Sequence, residues 1–374
     1  MQKKYIFDKS EFNRLVELLL QTFSKVFAPQ IKDGAIVYEQ LEAVDQLPRG
    51  VTDEQAAGSY KLIPSFTDMH FSYAVGPDSP KKFFFKAQQK LWAVEKKPDG
   101  RMPQLQVEHQ TQENFALIGL RACDLKAIKN QDVVFSKDNQ DPYYFENRSG
   151  AFLIGVNCTH PSANCFCTSF DYGPFHAEKG LDLELTELED SDGIYYIAVA
   201  HSKSAQNLLD KFGFIAEKLP QKWKKKQAQA EKNARLSLNK SLDYQKIRKN
   251  LKKQLQSPAW DDLDQRCLSC GNCTLVCPTC FCSDVYDKTD LSGQVAEKWR
   301  VWDSCFNKDH SAIHGGVVHK TTAAKYRQWL THKLVSWQDQ FGESGCVGCG
   351  RCTTWCPVGI DLVTEAKRIS ESEL

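Results

Sequence analysis

The chain has no run of 18 or more apolar residues in its 374, so no membrane-spanning helix is expected. It also has almost no net charge. Its 48 Lys and Arg face 47 Asp and Glu, a formal +1, which leaves no global attraction for nucleic acid or an anionic membrane. The stretch MQKKYIFDKSEFNRLVELLLQTF is basic at its start, but charges interrupt its apolar residues and no small-residue cleavage site follows. A secretory leader is therefore not expected. No G-x-G-x-x-G follows a strand-like run, and neither G-x-S-x-G nor H-E-x-x-H occurs. These absences remove the common nucleotide-binding, serine-hydrolase and zinc-peptidase fingerprints. Any nicotinamide or flavin chemistry is expected on another subunit. There is no low-complexity tract, and the one internal repeat is a pair of cysteine rows.

Cysteine is what the chain has in excess. There are fifteen, an odd number, grouped at short intervals. Without an export signal this points to a reducing, cytoplasmic setting and to metal or cluster ligation rather than disulfides. Eleven lie in residues 257–374; the others are Cys123, Cys158, Cys165 and Cys167.

The expected fold class is α+β. Residues 1–216 read as a mixed α/β sheet domain, 217–256 as a basic helical linker, and 257–374 as an α-helical two-cluster ferredoxin domain. Phe12, Leu15, Leu19, Phe23 and Val26 recur at helical spacing over residues 9–27. The runs AIVY (35–38), FFF (83–85), FALIGL (115–120), AFLIGV (151–156) and IYYIAVA (194–200) are strand-like. RACDLKAIKNQDVVF reads as a loop and then a helix. Residues 217–256 hold thirteen Lys or Arg against three acidic residues. Tyr244, Ile247, Leu251 and Leu255 give their second half an amphipathic face. Three readings stand there: a solvated connecting helix, a surface for an acidic partner, or nucleic-acid binding, for which no recognition motif is present. Ser257-Pro258 breaks the pattern. Residues 321–341 read as a long helix with Tyr326, Leu330, Leu334 and Trp337 on one face.

Cys267, Cys270, Cys273 and Cys277 precede Pro278; Cys346, Cys349, Cys352 and Cys356 precede Pro357. Both rows read C-x2-C-x2-C-x3-C-P, the ferredoxin spacing for [4Fe–4S] clusters. Three thiolates on one wrapping loop can reach three irons of a cubane. The fourth cysteine then serves the other cluster. The expected sets are Cys267, Cys270, Cys273 and Cys356 for one cluster, and Cys346, Cys349, Cys352 and Cys277 for the other. Gly271 and Gly350 suit a close approach of backbone to cluster. Structural zinc uses two C-x2-C pairs rather than matched rows of four. The 68 residues between the rows, Pro278 to Gly345, exceed a compact ferredoxin and look helical. They hold Cys280, Cys282 and Cys305, read either as small packing residues or as a further ligand or redox-thiol set. As a four-thiolate site that set lacks one ligand.

In the first part, Cys123 follows one predicted strand; Cys158, Cys165 and Cys167 follow another. If the strands are neighbours, the four thiols meet at one sheet edge. A third [4Fe–4S] cluster, a zinc ion and plain packing all remain open. His160 is a possible substitute ligand.

GLRACDLKAI, NCTHPSANCFCTSFDYGP, GLDLELTEL, CLSCGNCTLVCPTCFCSDVYD, WDSCF and CVGCGRCTTWCPVGIDL together resemble the iron–sulfur beta subunits of cytoplasmic sulfhydrogenases, the NADP-linked [NiFe] hydrogenases. They are similar also to the iron–sulfur subunits of anaerobic sulfite reductases. The matches span about residues 115–364. One departure is HGGVVHKTTAAKYRQW, where Val-Val-His-Lys replaces the family's Asn-Pro-Arg step after the glycine pair. The resemblance implies an electron-transfer subunit without a substrate site of its own. Its partners would be a flavin subunit that binds NAD(P)H and a catalytic hydrogenase or sulfite reductase subunit. The alternative is a thiol/disulfide reductase acting at Cys280, Cys282 and Cys305 in the manner of heterodisulfide reductases, whose CCG-type repeats are missing here. A cluster-stabilised scaffold is a third possibility.

Overall fold

The structure is a computed structural model. It describes residues 3–372 apart from 75, 98–101, 108–112 and 177–178. The first strands are β1 (Lys3–Asp8), β2 (Lys25–Lys32) and β3 (Ala35–Gln40), with a hairpin of β4 (Val51–Ala56) and β5 (Ser59–Pro64). After β6 (Gln88–Glu95) and β7 (Gln104–Val107) come β8 (Phe115–Leu120), β9 (Ala151–Val156), β10 (Leu183–Asp190) and β11 (Gly193–Ala200). β12 (Ser283–Thr289) and β13 (Val295–Trp302) lie between the cysteine rows.

Seven strands form the main sheet in the order β1-β11-β10-β9-β8-β2-β3. The four central strands, β10, β9, β8 and β2, run parallel. FALIGL of β8 is buried at every residue, as a parallel strand covered on both faces should be. One face packs on the helix Lys9–Thr22 through Phe12, Leu15 and Leu19. The other packs on the helix Ala122–Ser136 through Leu125 and Ile128.

The first helix ends at Thr22, four residues short of the predicted stretch's last apolar position, and Val26 is buried on β2 instead. The expected strand FFF is a helical turn, Lys81–Phe84. Pro80 sets the helical φ just before it, and Phe84 and Phe85 both point into the core. RACDLKAIKNQDVVF needs no loop, because the helix starts directly at Ala122.

The predicted α+β class holds, with a sheet-rich first part and a helical last part. The segment between the rows, read as helical from the sequence, has no helix before Thr322 among the described residues. β12 and β13 form a hairpin there and join β6 and β7 in a second sheet, ordered β12-β13-β6-β7. Strands from both ends of the chain thus share one sheet. Further on, Thr322–Phe341 is helical and buries Tyr326, Leu330, Leu334 and Trp337. Its backbone widens to a π turn at His332–Ser336.

The basic segment forms two helices, Gln221–Leu236 and Tyr244–Leu251. Lys222 and Lys226 pair with Asp190, Lys240 with Asp361, and Arg248 and Lys252 with Asp339. Much of the basic charge is therefore spent within the chain, on both the sheet and the cysteine-rich part. Ile247 and Leu251 are buried as their spacing predicts, while Leu255 is exposed.

Candidate iron–sulfur sites

The two cysteine rows sit on loops with little regular structure of their own. Each loop turns into a four-residue helix, Asn272–Leu275 or Arg351–Thr354, through a glycine at positive φ, Gly271 or Gly350. No Cβ stands in the way there, so the thiols can turn inward.

Cys267, Cys270 and Cys273 line one cavity, and Cys352 and Cys356 of the other row line it with them. Cys277 of the first row lies among the second: its charge and those of Cys346 and Cys349 all act on Cys352. Asn272 Nδ2 donates to the Trp355 carbonyl at 2.8 Å and ties the two loops together. Tyr326 and Trp329 also line the first cavity. Both are buried, and the Tyr326 hydroxyl and Trp329 indole N–H have no hydrogen-bond partner among the described residues. Two orphaned donors beside this ring of thiols suit a group that carries sulfide acceptors.

β8 and β9 are parallel neighbours. Their carboxyl ends therefore bring Cys123 beside Cys158, in the crevice where open α/β sheets place their ligands. Cys123, Cys158, Cys165 and Cys167 line a single cavity, together with Cys349 and Gly348 of the second row. A Cβ on Gly348 would come within 2.6 Å of the Cys167 backbone, and one on Gly350 within 2.5 Å of the Asn164 carbonyl. The two loops pack backbone against backbone. His160 is exposed, does not line the four-thiol cavity, and meets the Thr159 hydroxyl at 3.0 Å.

Cations that carry no motif in the sequence accompany each thiol group. Arg121 is buried beside the sheet-edge cavity. Its guanidinium donates to the carbonyls of Phe71 (3.0 Å) and Tyr73 (2.8 Å). Arg351, 1% exposed, pairs at 2.7 Å with Asp124, which is fully buried. Lys333, 4% exposed, reaches Cys277 Sγ at 3.0 Å. Arg351 sits inside the CGRC motif, and the sequence marks its neighbours rather than itself. Lys333 reads as one more charge on a helix.

Burial pushes the Cys346 and Cys167 thiols up to about 12 and raises Cys165 and Cys349 as well. Cys277 is instead held down, first by a hydrogen bond from the Cys280 thiol and then by Lys333. Thiols held neutral by burial are poor nucleophiles, and a metal centre deprotonates them outright. Among the described residues no three His, Cys, Asp or Glu side chains are placed to hold a single metal ion. The matched rows of four cysteines fit iron–sulfur clusters better than zinc, which uses C-x2-C pairs.

Residues 266–360 match the family model of the 4Fe-4S dicluster domain. The Sulfhydrogenase 2 subunit beta of Pyrococcus furiosus is 29% identical over 361 residues, which cover 96% of this chain and 95% of that protein. No solved structure matches. The likeness read from the motifs thus extends through the sheet-rich part as well. No helix among the described residues is long and apolar enough to cross a membrane.

Proposed function

We propose that this chain is the iron–sulfur electron-transfer subunit of a multi-subunit oxidoreductase. In this reading it sits between a flavin subunit that binds NAD(P)H and a catalytic hydrogenase or sulfite reductase subunit. Cys267, Cys270, Cys273 and Cys356 hold one [4Fe–4S] cluster; Cys346, Cys349, Cys352 and Cys277 hold a second. Cys123, Cys158, Cys165 and Cys167 hold a third. Bound clusters supply the acceptance and release of single electrons. The chain's own residues hold them, shield them from water and surround them with buried cations that offset the negative charge of thiolate-ligated clusters.

The observation that carries this reading is the company of Cys356. It lies in the second row yet lines the cavity of the first, as does Cys352 one helical turn before it, so the two rows face each other across it. Two cysteine rows that exchange their fourth thiols bind their clusters as neighbours, which is of use to a relay and needless in a scaffold that one zinc could staple.

In anaerobically purified protein, Cys356→Ala is expected to disturb the cluster held mainly by the first row. Damage confined to the second row's signal in cluster-resolved resonance spectra would overturn the ligand sets. Cys165→Ala is expected to lower iron by about one cluster's worth, and unchanged iron would leave those four cysteines as packing. Recovery of the native complex, with its other subunits identified by mass, tests the partners.

A further inference from the structure

Three cysteines remain outside these sets, and the hairpin β12–β13 brings them together. Cys280 and Cys282 lie just before β12; Cys305 lies just after β13. Ser283 pairs with Trp302 at the open end of the hairpin, and the Asp303 N–H donates to the Cys282 carbonyl at 2.9 Å. Thiols 23 to 25 residues apart in sequence thus face one cavity of about 380 Å³. Its lining also includes His310, His332, Lys333 and Trp329.

The fourth ligand that a three-cysteine set lacks is present in this lining. His310 lines the cavity together with Cys280, Cys282 and Cys305. His310 Nδ1 meets the Asp303 carboxylate at 2.8 Å. A carboxylate on one imidazole nitrogen is the usual brace of a metal-ligating histidine, since it fixes the tautomer and frees the other nitrogen. His332, the other imidazole of the cavity, is packed against the rings of Phe281 and Trp337 and has no such brace from a carboxylate among the described residues. Lys333 reaches Cys280 Sγ at 3.3 Å and Cys277 Sγ at 3.0 Å. One ammonium therefore serves both this thiol set and the second row's. Trp329 lines this cavity as well as the first row's.

We propose that Cys280, Cys282, Cys305 and His310 ligate a further [4Fe–4S] cluster, distinct from those of the two rows and of the sheet edge. The hairpin is the device that assembles the site, which gives the long segment between the rows a purpose. The relay function proposed above does not depend on this site.

The test uses the full chain, purified anaerobically, with iron and acid-labile sulfide counted per chain and resonance spectra taken on reduction. Cys282→Ala and Cys305→Ala should each lose about four irons, one cluster, while the signals of the two rows persist. His310→Cys should keep its iron but change the reduced-state spectrum and lower that centre's potential, because histidine in place of cysteine raises it. Iron unchanged in both alanine variants would overturn the proposal. So would a Cys282–Cys305 disulfide in the peptide map of the native protein, which would make the group a redox thiol pair. If the alanine variants lose all iron through misfolding, His310→Cys decides: an unaltered spectrum with full iron overturns the assignment. Loss of the row signals in the wild-type protein would instead sink the relay reading itself.

Discussion

The Lys333 ammonium is buried against the thiols of Cys277 and Cys280. A charge-assisted hydrogen bond of this kind contributes about 1.5–3 kcal/mol. Only the part that differs between oxidation states moves a potential, and about 1.4 kcal/mol corresponds to ~59 mV for one electron. Reduction adds negative charge, so the ammonium favours the reduced form. Lys333→Met is expected to lower the midpoint potential of the cluster ligated by Cys277 by tens of millivolts, with Lys333→Arg closer to the native value. A redox titration followed by resonance spectroscopy reads this directly. An unchanged midpoint in the methionine variant would mean that the charge is compensated elsewhere. Arg121 and Arg351 place fixed charge beside the other thiols in the same way, although Arg351 shares its charge with Asp124.

At the scale of elements, the sheet and the cysteine rows are locked by loops that touch through backbone. Gly348 makes one of the closest such contacts. Its φ is +67, and a Cβ there would meet the Cys167 backbone. Gly342 has φ +79 and nothing within 4 Å of a Cβ, so it serves as a control. Gly342→Ala should cost about 1 kcal/mol for the left-handed conformation alone. Gly348→Ala adds a clash of the overpacking kind, roughly 1–3 kcal/mol more. Its thermal midpoint should fall further than the control's, and the spectra of the clusters proposed for the second row and the sheet edge should change together. Equal midpoints for the two variants would show that the loops part easily. The β4–β5 hairpin adds to this lock: Gly58 N–H donates to the Thr353 carbonyl at 3.0 Å, and Tyr60 stacks on Trp355 at 5.1 Å.

The legible elements are those with a strong apolar signal. FALIGL, AFLIGV and IYYIAVA are buried strands, and the ferredoxin rows announce themselves by spacing. β12, SDVYDKT, is exposed along its whole length, so it carries no apolar period to read. Phe83, Phe84 and Phe85 have strand-like composition, yet Phe83 and Phe84 are helical and only Phe85 is extended, because the preceding proline and the local core decide. The helix Ala122–Ser136 buries Asp124, Lys126, Asn130 and Gln131. These polar residues face the cysteine rows: Asn130 donates to the Ser344 carbonyl and Gln131 to the Pro278 carbonyl, each at 3.0 Å. A docking surface made of polar contacts leaves no hydrophobic period in the sequence. His310 is invisible in the sequence for a similar reason. Its partners Cys282 and Asp303 become neighbours only when the hairpin closes.

For the whole molecule, two kinds of stability meet in one chain. The main sheet has its own apolar core, from Tyr5 and Phe12 to Ile154 and Tyr196. The cysteine loops around residues 267–282 and 344–360 have only four-residue helices, and their thiols pack into the second core beside Tyr326, Leu330 and Leu334. In such a region the free energy of cluster binding is also folding free energy. Stripping the iron with a chelator and mild oxidant, anaerobically, should therefore unfold the molecule unevenly. Amide exchange is expected to become fast in residues 267–282 and 344–360 and in the Cys158–Cys167 loop, while β8, β9 and β11 keep most of their protection. Uniform loss of protection would mean that the sheet cannot stand without the clusters. Protection retained everywhere would mean that the cysteine loops are held by packing alone, and the raised thiols of Cys346 and Cys167 would then sit neutral in an ordinary core.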